Sequence, residues 1–230
     1  MRIAVFGASG PTGRLLTTQA LDAGHEVRAV TRRPDEFPVQ HPALTVVGAD
    51  VYDAAAVGEL VAGTDAVLST LGVSFTRRPI DLYSVSAGHL VSAMRKHGVK
   101  RLVLVSSSAT EPHHHADSGF LLNRVMQPLV TATIGKSTYA DMRTMEAVVR
   151  TTDLSWTIMR PSGLFDLPAV TSYRVDEDRA PGAFTSRADL AAAMLSQLGD
   201  DRYVRSVAVT TTVGTPSLWQ LLKQEAFGKD

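Results

Sequence analysis

The sequence contains no cysteine, which excludes thiol catalysis, disulfide staples and Cys-ligated metals. It also lacks any charge excess, since 23 Lys and Arg balance 23 Asp and Glu for a formal net charge of zero. No general field therefore draws in nucleic acid or an anionic membrane, and any attraction for phosphate has to be local. No apolar run approaches the roughly 18 residues of a membrane span. The N-terminal apolar run is broken by glycines and lacks the h-region and cleavage site of a signal peptide, so a cytoplasmic protein is expected. Internal repeats and low-complexity linkers are missing too.

What is present is the composition of an ordinary globular chain, 44% hydrophobic and 20% charged. At 230 residues it suits one sizeable core better than two independent ones. Short β-branched runs alternate with longer helical patterns. Strands are predicted at 2–6, 26–31, 44–47, 65–70, 101–106 and 154–159, and helices over 11–23, 54–61, 80–97 and 137–150. Runs such as Ile3-Ala4-Val5-Phe6 and Leu102-Val103-Leu104-Val105 are continuously apolar, as strands buried on both faces are. Repeated β-α-β order with such strands implies a parallel sheet covered by helices on both sides. The stretch 111–133 fits no strand and only a weak helix. From about residue 169 the rhythm is less regular. A helix over 187–198 and a strand near 204–209 are expected to build a small cap on the substrate side.

The densest chemistry lies in Gly7-Ala8-Ser9-Gly10-Pro11-Thr12-Gly13. A glycine turn between a strand and a helix lets the backbone approach a pyrophosphate, whose charge the helix N–H groups and dipole stabilise. Gly7 permits the tight turn, Gly10 leaves room for the phosphates, and Gly13 lets the helix pack against the strand. Pro11 suits the first helical turn, where its missing donor costs nothing. The second strand ends Val30-Thr31-Arg32-Arg33, with no acid before Asp35. An acid there would hold the ribose hydroxyls of NAD; a guanidinium instead pairs with a 2′-phosphate. NADP(H) is therefore the expected cofactor, on one domain over 1–230, with about 1–160 as the cofactor-binding core and about 161–230 giving the substrate side.

These residues resemble the atypical short-chain dehydrogenase/reductases with NAD(P)H-binding folds, in particular the biliverdin reductase B and flavin reductase branch and its NmrA-like relatives. The resemblance runs through the glycine turn, Val47-Gly48-Ala49-Asp50-Val51, Thr64-Asp65-Ala66-Val67, Met94-Arg95-Lys96-His97-Gly98-Val99, Leu154-Ser155-Trp156-Thr157-Ile158-Met159-Arg160-Pro161 and Thr185-Ser186-Arg187-Ala188-Asp189-Leu190. It implies a Rossmann, doubly wound parallel α/β sheet with a small C-terminal substrate-side cap. It also implies that Asp50 and Val51 flank the adenine, that Leu71 and Gly72 pass beneath the cofactor, and that Ser106, Ser107 and Pro161 lie near the nicotinamide.

The family's reaction is hydride transfer, and many of its members use a serine after strand five with a Tyr-x-x-x-Lys pair on the next helix. Here Ser106, Ser107 and Ser108 are candidates for that serine, with Ser108 aligning best, and the helix offers Tyr139-Ala140-Asp141-Met142-Arg143. Tyr139 and Arg143 share a helix face at this spacing, so Arg143 is placed to act on the tyrosine. It stays protonated, however, and cannot relay a proton as lysine does. The alternative is that Tyr139 is a packing residue. The histidine that the flavin reductase branch carries after strand six is replaced by Gly163. Hydride addition to a ketone generates a basic alkoxide that needs an acid, whereas addition to a flavin or quinone gives a delocalised anion. The leading expectation is thus an NADPH-dependent reductase of a planar conjugated small-molecule acceptor, a monomer or weak homo-oligomer. The alternatives are an NmrA-like, NADP(H)-binding redox sensor without catalysis and, third, a nucleotide-sugar epimerase or dehydratase.

Three further features carry weaker expectations. His113-His114-His115 cannot all face one ion, so no metal is expected and a polar loop near the site mouth is read instead. The apolar stretch from Phe120 to Val130 is either core or a lid, and Trp219 belongs to the apolar face of a terminal helix. Arg160, at the end of the sixth strand, is expected in a salt bridge within the fold.

Overall fold

The strand β1 (Arg2–Phe6) buries Ile3 through Phe6 almost completely, and the sheet grows outward from it on both sides. In the computed structural model, which describes residues 1–74, 76, 78–111, 129, 132, 133, 135–179 and 182–214, β1 pairs in parallel with β2 (Glu26–Thr31) and β4 (Ala66–Ser69). Adding β3 (Leu44–Gly48), β5 (Arg101–Val105), β6 (Ser155–Met159), β8 (Tyr173–Glu177) and β10 (Ser206–Thr212) gives the order β3-β2-β1-β4-β5-β6-β10-β8. Only β8 runs antiparallel, against β10. The chain winds outward from β1 to β3, then returns to the other side of β1 and winds on to β6. That reversal leaves a crevice at the carboxyl ends of β1 and β4, where ligands of open α/β sheets sit.

Because successive strand residues face opposite ways, the two core layers are sorted by parity. Ala4, Phe6, Val67, Leu102, Leu104 and Ile158 face helices α2 (Ala54–Val61), α3 (Leu82–His97) and α4 (Lys136–Arg150). Ile3, Val5, Ala66, Leu68, Val103 and Met159 face α1 (Pro11–Asp22) and α5 (Arg187–Ser196). Each of the larger of these side chains contributes about 1.5–3 kcal/mol by leaving water. The helix ends are set by short-range chemistry. Asp53 caps α2 by accepting from Ala55 N and Ala56 N at 2.9 and 3.1 Å, while Gly98 closes α3 at φ 72°. The buried Asp141 of α4 caps α3 across the helix interface, accepting from Tyr83 N at 2.8 Å. This is why α3 begins at Leu82 rather than at residue 80 as expected.

The last third departs from the expected cap. Strands β10 and β8 extend the main sheet, and α5 packs on α1 against its far face. Among the described residues of this third, β7 (Gly163–Phe165) and β9 (Phe184–Ser186), a two-stranded parallel ribbon, stand at the substrate side. The fully buried Asp189 ties these parts together. It accepts from Thr171 N at 2.6 Å, Thr171 Oγ1 at 3.0 Å and Thr212 Oγ1 at 2.6 Å. The histidine run 113–115, all of the apolar stretch except Leu129, which is 60% exposed, and the Trp219 helix lie outside the described residues.

Asp189→Ala leaves the buried Thr212 hydroxyl and the two Thr171 donors without their acceptor and is expected to cost about 2 kcal/mol of unfolding free energy. Urea denaturation of the variant beside Asp189→Asn, which keeps an acceptor and should lose less, measures this. A loss below about 1 kcal/mol for the alanine variant would contradict the role assigned to it.

Candidate active site

The glycine turn is built on contacts that no side chain tolerates. Gly7 sits at φ 78°, and a Cβ on it would lie 2.8 Å from Leu71 N. A Cβ on Gly13 would lie 2.2 Å from the Gly7 carbonyl oxygen, so α1 starts hard against the end of β1. Gly10 is different: its Cβ would meet only the Gly7 oxygen, at 3.3 Å. Space is therefore left open above it. Gly10 is also the N-cap of α1, and no side chain caps the helix start, where Pro11 occupies the first turn. The first-turn N–H groups thus point into the crevice without a side-chain acceptor.

From this turn a cavity of about 1110 Å³ runs along the carboxyl ends of the strands. It is lined by Gly7, Ser9, Gly10, Pro11 and Thr12 at β1, by Arg32 and Arg33 at β2, by Asp50 and Val51 after β3, and by Leu71 and Gly72 after β4. Ser106, Ser107, Ser108, Tyr139 and Pro161 line its other half. Of the expected site residues, Gly13 and Arg143 do not line it; Gly13 faces the strand, as a packing glycine must. The two arginines differ. Arg33 reaches Glu36 at 2.9 Å, whereas exposed Arg32 has no ion-pair partner among the described residues. Asp50 turns its Oδ1 to the Tyr52 N–H at 3.1 Å. Tyr52, which the sequence reading passed over, donates its hydroxyl to Asp81 at 2.8 Å across the cavity rim. Burial, then the hydrogen bond and charge of Asp81, push its hydroxyl up to about 12.

At the β5 and β6 end the serines divide their tasks. The Ser106 hydroxyl donates to Glu146 Oε1 at 2.6 Å and so points into the protein. Glu146 is paired with the Nε of Arg160 at 2.9 Å and with its Nη2, and Arg160 Nη1 reaches Glu111 at 2.8 Å. Burial works against the Arg160 charge, but Glu146 and Glu111 outweigh it and hold the guanidinium above its ordinary value. The expected salt bridge of Arg160 is therefore present, with a partner that the sequence reading did not name. Ser107, not Ser108, is the serine hydrogen-bonded to the Tyr139 hydroxyl. Ser108 lines the cavity one residue further on, where its N–H donates to the Pro161 carbonyl at 3.0 Å and opens a 3-10 turn.

Tyr139 is 8% exposed, and burial raises its hydroxyl above the ordinary 10.0 against the pull of Ser107. Arg143 takes no part in that balance. It lies on the exposed side of α4 and donates through Nη1 to the Thr110 carbonyl at 3.3 Å. The spacing of four places the two on neighbouring turns, but the apolar stripe of α4 turns Tyr139, Met142, Met145 and Val149 inward and leaves Arg143 at its edge. Met142 is the residue that lines the cavity beside Tyr139. Among the described residues no group of three His, Asp or Glu side chains is placed to hold a metal ion.

Known proteins agree with this geometry. Residues 7–201 match a family described as NAD(P)H-binding. The uncharacterized protein YwnB of Bacillus subtilis is 29% identical over 210 residues, covering 86% of this chain and 92% of its own. An uncharacterized protein of Mycobacterium tuberculosis is 38% identical over 108 residues, which are 46% of this chain; the chain spans 12% of that protein's length. A short-chain dehydrogenase/reductase of Veillonella parvula, solved in complex with NADP, superposes with a TM-score of 0.77 at 19% identity, over 94% of this chain and 99% of its own. With the family match running from the glycine turn to beyond α5, the chain belongs to the NAD(P)H-binding family and has the Rossmann fold of the short-chain dehydrogenases/reductases.

Proposed function

We propose that this protein is an NADPH-dependent reductase of planar, conjugated small-molecule acceptors such as flavins or quinones. The observation that carries the reading is Tyr139, a buried neutral hydroxyl paired with Ser107 and shifted by burial rather than by a neighbouring cation. Such a group donates a hydrogen bond to an oxygen that gains charge, but holds its own proton firmly. An acceptor whose reduced form spreads its charge needs no more than that. A ketone needs a proton delivered, and Arg143 stands outside the cavity.

The other half of the cavity suits the cofactor. The open space above Gly10 and the uncapped start of α1 fit a pyrophosphate. Arg32 is the guanidinium free for a 2′-phosphate, and the NADP bound to the Veillonella protein of the same fold supports that choice. When bound, NADPH supplies the hydride. From Arg32 after β2 to Pro161 after β6 is four strand spacings, roughly 19 Å, so the cavity separates the phosphate-binding residues from the Ser107–Tyr139 pair. Met142, Leu164 and Phe184 give the latter an apolar wall.

Calorimetry should find NADPH bound at least about tenfold more tightly than NADH, with Arg32→Ala removing most of that difference. Equal affinities would contradict the assignment of Arg32. In anaerobic mixing of the NADPH-loaded protein, flavins and quinones should be reduced well above the buffer rate and simple ketones should not. Tyr139→Phe is expected to lower kcat by about tenfold or less, because it removes one hydrogen bond and no proton relay. Since the Tyr139 hydroxyl titrates above 10.0, kcat should show no loss of an acid between about pH 6 and 9. A loss of about a thousandfold in Tyr139→Phe, or ketone reduction by the wild type, would point to ordinary carbonyl reduction instead.

A further inference from the structure

The charged side chains among the described lining residues are Arg32, Arg33, Asp50, Asp81 and Arg187. The first three belong to the ends of β2 and β3, and Asp81 to the start of α3. Arg187 stands alone at the other end, as the first residue of α5 directly after β9. Its side chain is 24% exposed, and Nη1 lies 3.0 Å from Asp166, whose side chain is 77% exposed. No other hydrogen-bond partner holds its guanidinium among the described residues. Around it the cavity wall is apolar, with Leu164 and Phe184 on the β7–β9 ribbon.

An arginine placed this way is poorly explained as a stabiliser of the fold. Its single ion pair among the described residues is with a carboxylate in solvent, the kind that contributes little, and most of its five N–H donors are left over. The cofactor's phosphates do not account for it either. The pyrophosphate cradle lies at β1, and β1 to β6 is three strand spacings, roughly 14 Å; the ribbon that leads into Arg187 begins beyond the end of β6. What the position suits is an anion on the acceptor itself.

We propose that Arg187 selects acceptors bearing a carboxylate or phosphate, which takes the place at the guanidinium now held by the Asp166 carboxylate. The inference rests on the reductase reading and narrows its substrate class from any planar conjugated acceptor to an anionic one. Charge-assisted, bidentate pairing of a guanidinium with either anion supplies the selection. Asp166 acts as an internal competitor that a neutral acceptor cannot displace.

The test compares acceptors that share a ring and differ in charge: riboflavin with FMN, and a naphthoquinone with and without a carboxylate substituent. Wild-type kcat/KM should favour the charged member of each pair by about tenfold. The ratio should fall towards one in Arg187→Met and rise several-fold in Asp166→Asn. A preference confined to FMN would restrict the anion to phosphate, and one confined to the quinone pair would restrict it to carboxylate. Ratios near one in the wild type, or a preference that survives in Arg187→Met, would overturn the inference while leaving the reductase reading intact. Flavin fluorescence quenching by the NADP⁺-loaded protein supplies a second readout without turnover. FMN binding that is lost in Arg187→Met, without reduction of any acceptor, would keep the anion site and overturn the reductase reading. Absence of both binding and turnover would overturn both.

Discussion

The site depends on how closely helix α1 starts against the end of strand β1. The Gly7 carbonyl oxygen lies 2.2 Å from where a Cβ of residue 13 would stand, and this approach aims the helix start into the crevice between β1 and β4. With no side chain capping it, the start presents unsatisfied N–H groups and the positive end of the helix dipole, equivalent to about half an elementary charge. In a chain whose formal charges cancel, this local field and the guanidinium of Arg32 are what a cofactor phosphate would meet on the proposed reading. Thr70 fastens the opposite lip of the crevice, its N–H donating to the Phe6 carbonyl at 2.9 Å.

A different device organises the far half of the cavity. The Arg160–Glu146 ion pair is buried on both sides, at 3% exposure each, and at such depth desolvation offsets most of the Coulombic gain. Its effect is positional. Ser106 and Thr110 both donate to Glu146 Oε1, so the turn between them, which carries Ser107 and Ser108, is held at both ends. Arg160 belongs to the residue pair that leaves β6, and Pro161 accepts the Ser108 N–H. One buried carboxylate thereby links β5, β6 and α4 around the hydroxyl pair of Ser107 and Tyr139.

The features legible in the sequence were those with local causes. Continuous apolar runs gave the inner strands, because burial on both faces demands them, and the Gly7, Gly10 and Gly13 spacing marked the turn, because close approach demands it. The place of Arg32 on the cavity wall is legible from its position after the second strand, yet its independence from Arg33 is not, since the Arg33–Glu36 pair depends on the 3-10 turn that follows β2. The choice between Ser107 and Ser108 hung on the direction of one turn after β5. Arg143 misled because a spacing of four satisfies helix geometry without saying where the apolar stripe ends. Glu146 was overlooked altogether; an acid two turns after Tyr139 on the inward face of α4 was the available signal. Strand β8 escaped because its partners on β10 lie roughly thirty to forty residues later (Glu177 pairs with Ala208 and Tyr173 with Thr212), and such pairing leaves no local trace.

Gly10→Val separates the cradle from the fold. Gly10 has extended backbone at φ −67° and ψ 161°, which any residue adopts, and a Cβ there meets only the Gly7 oxygen, at 3.3 Å. The variant should stay folded, with an unfolding temperature at most a few degrees below the wild type, while its affinity for NADPH, measured by calorimetry, falls by about tenfold or more, because the added methyl groups fill the space left for the phosphates. A stable variant that binds NADPH as the wild type does would mean that the cofactor lies elsewhere.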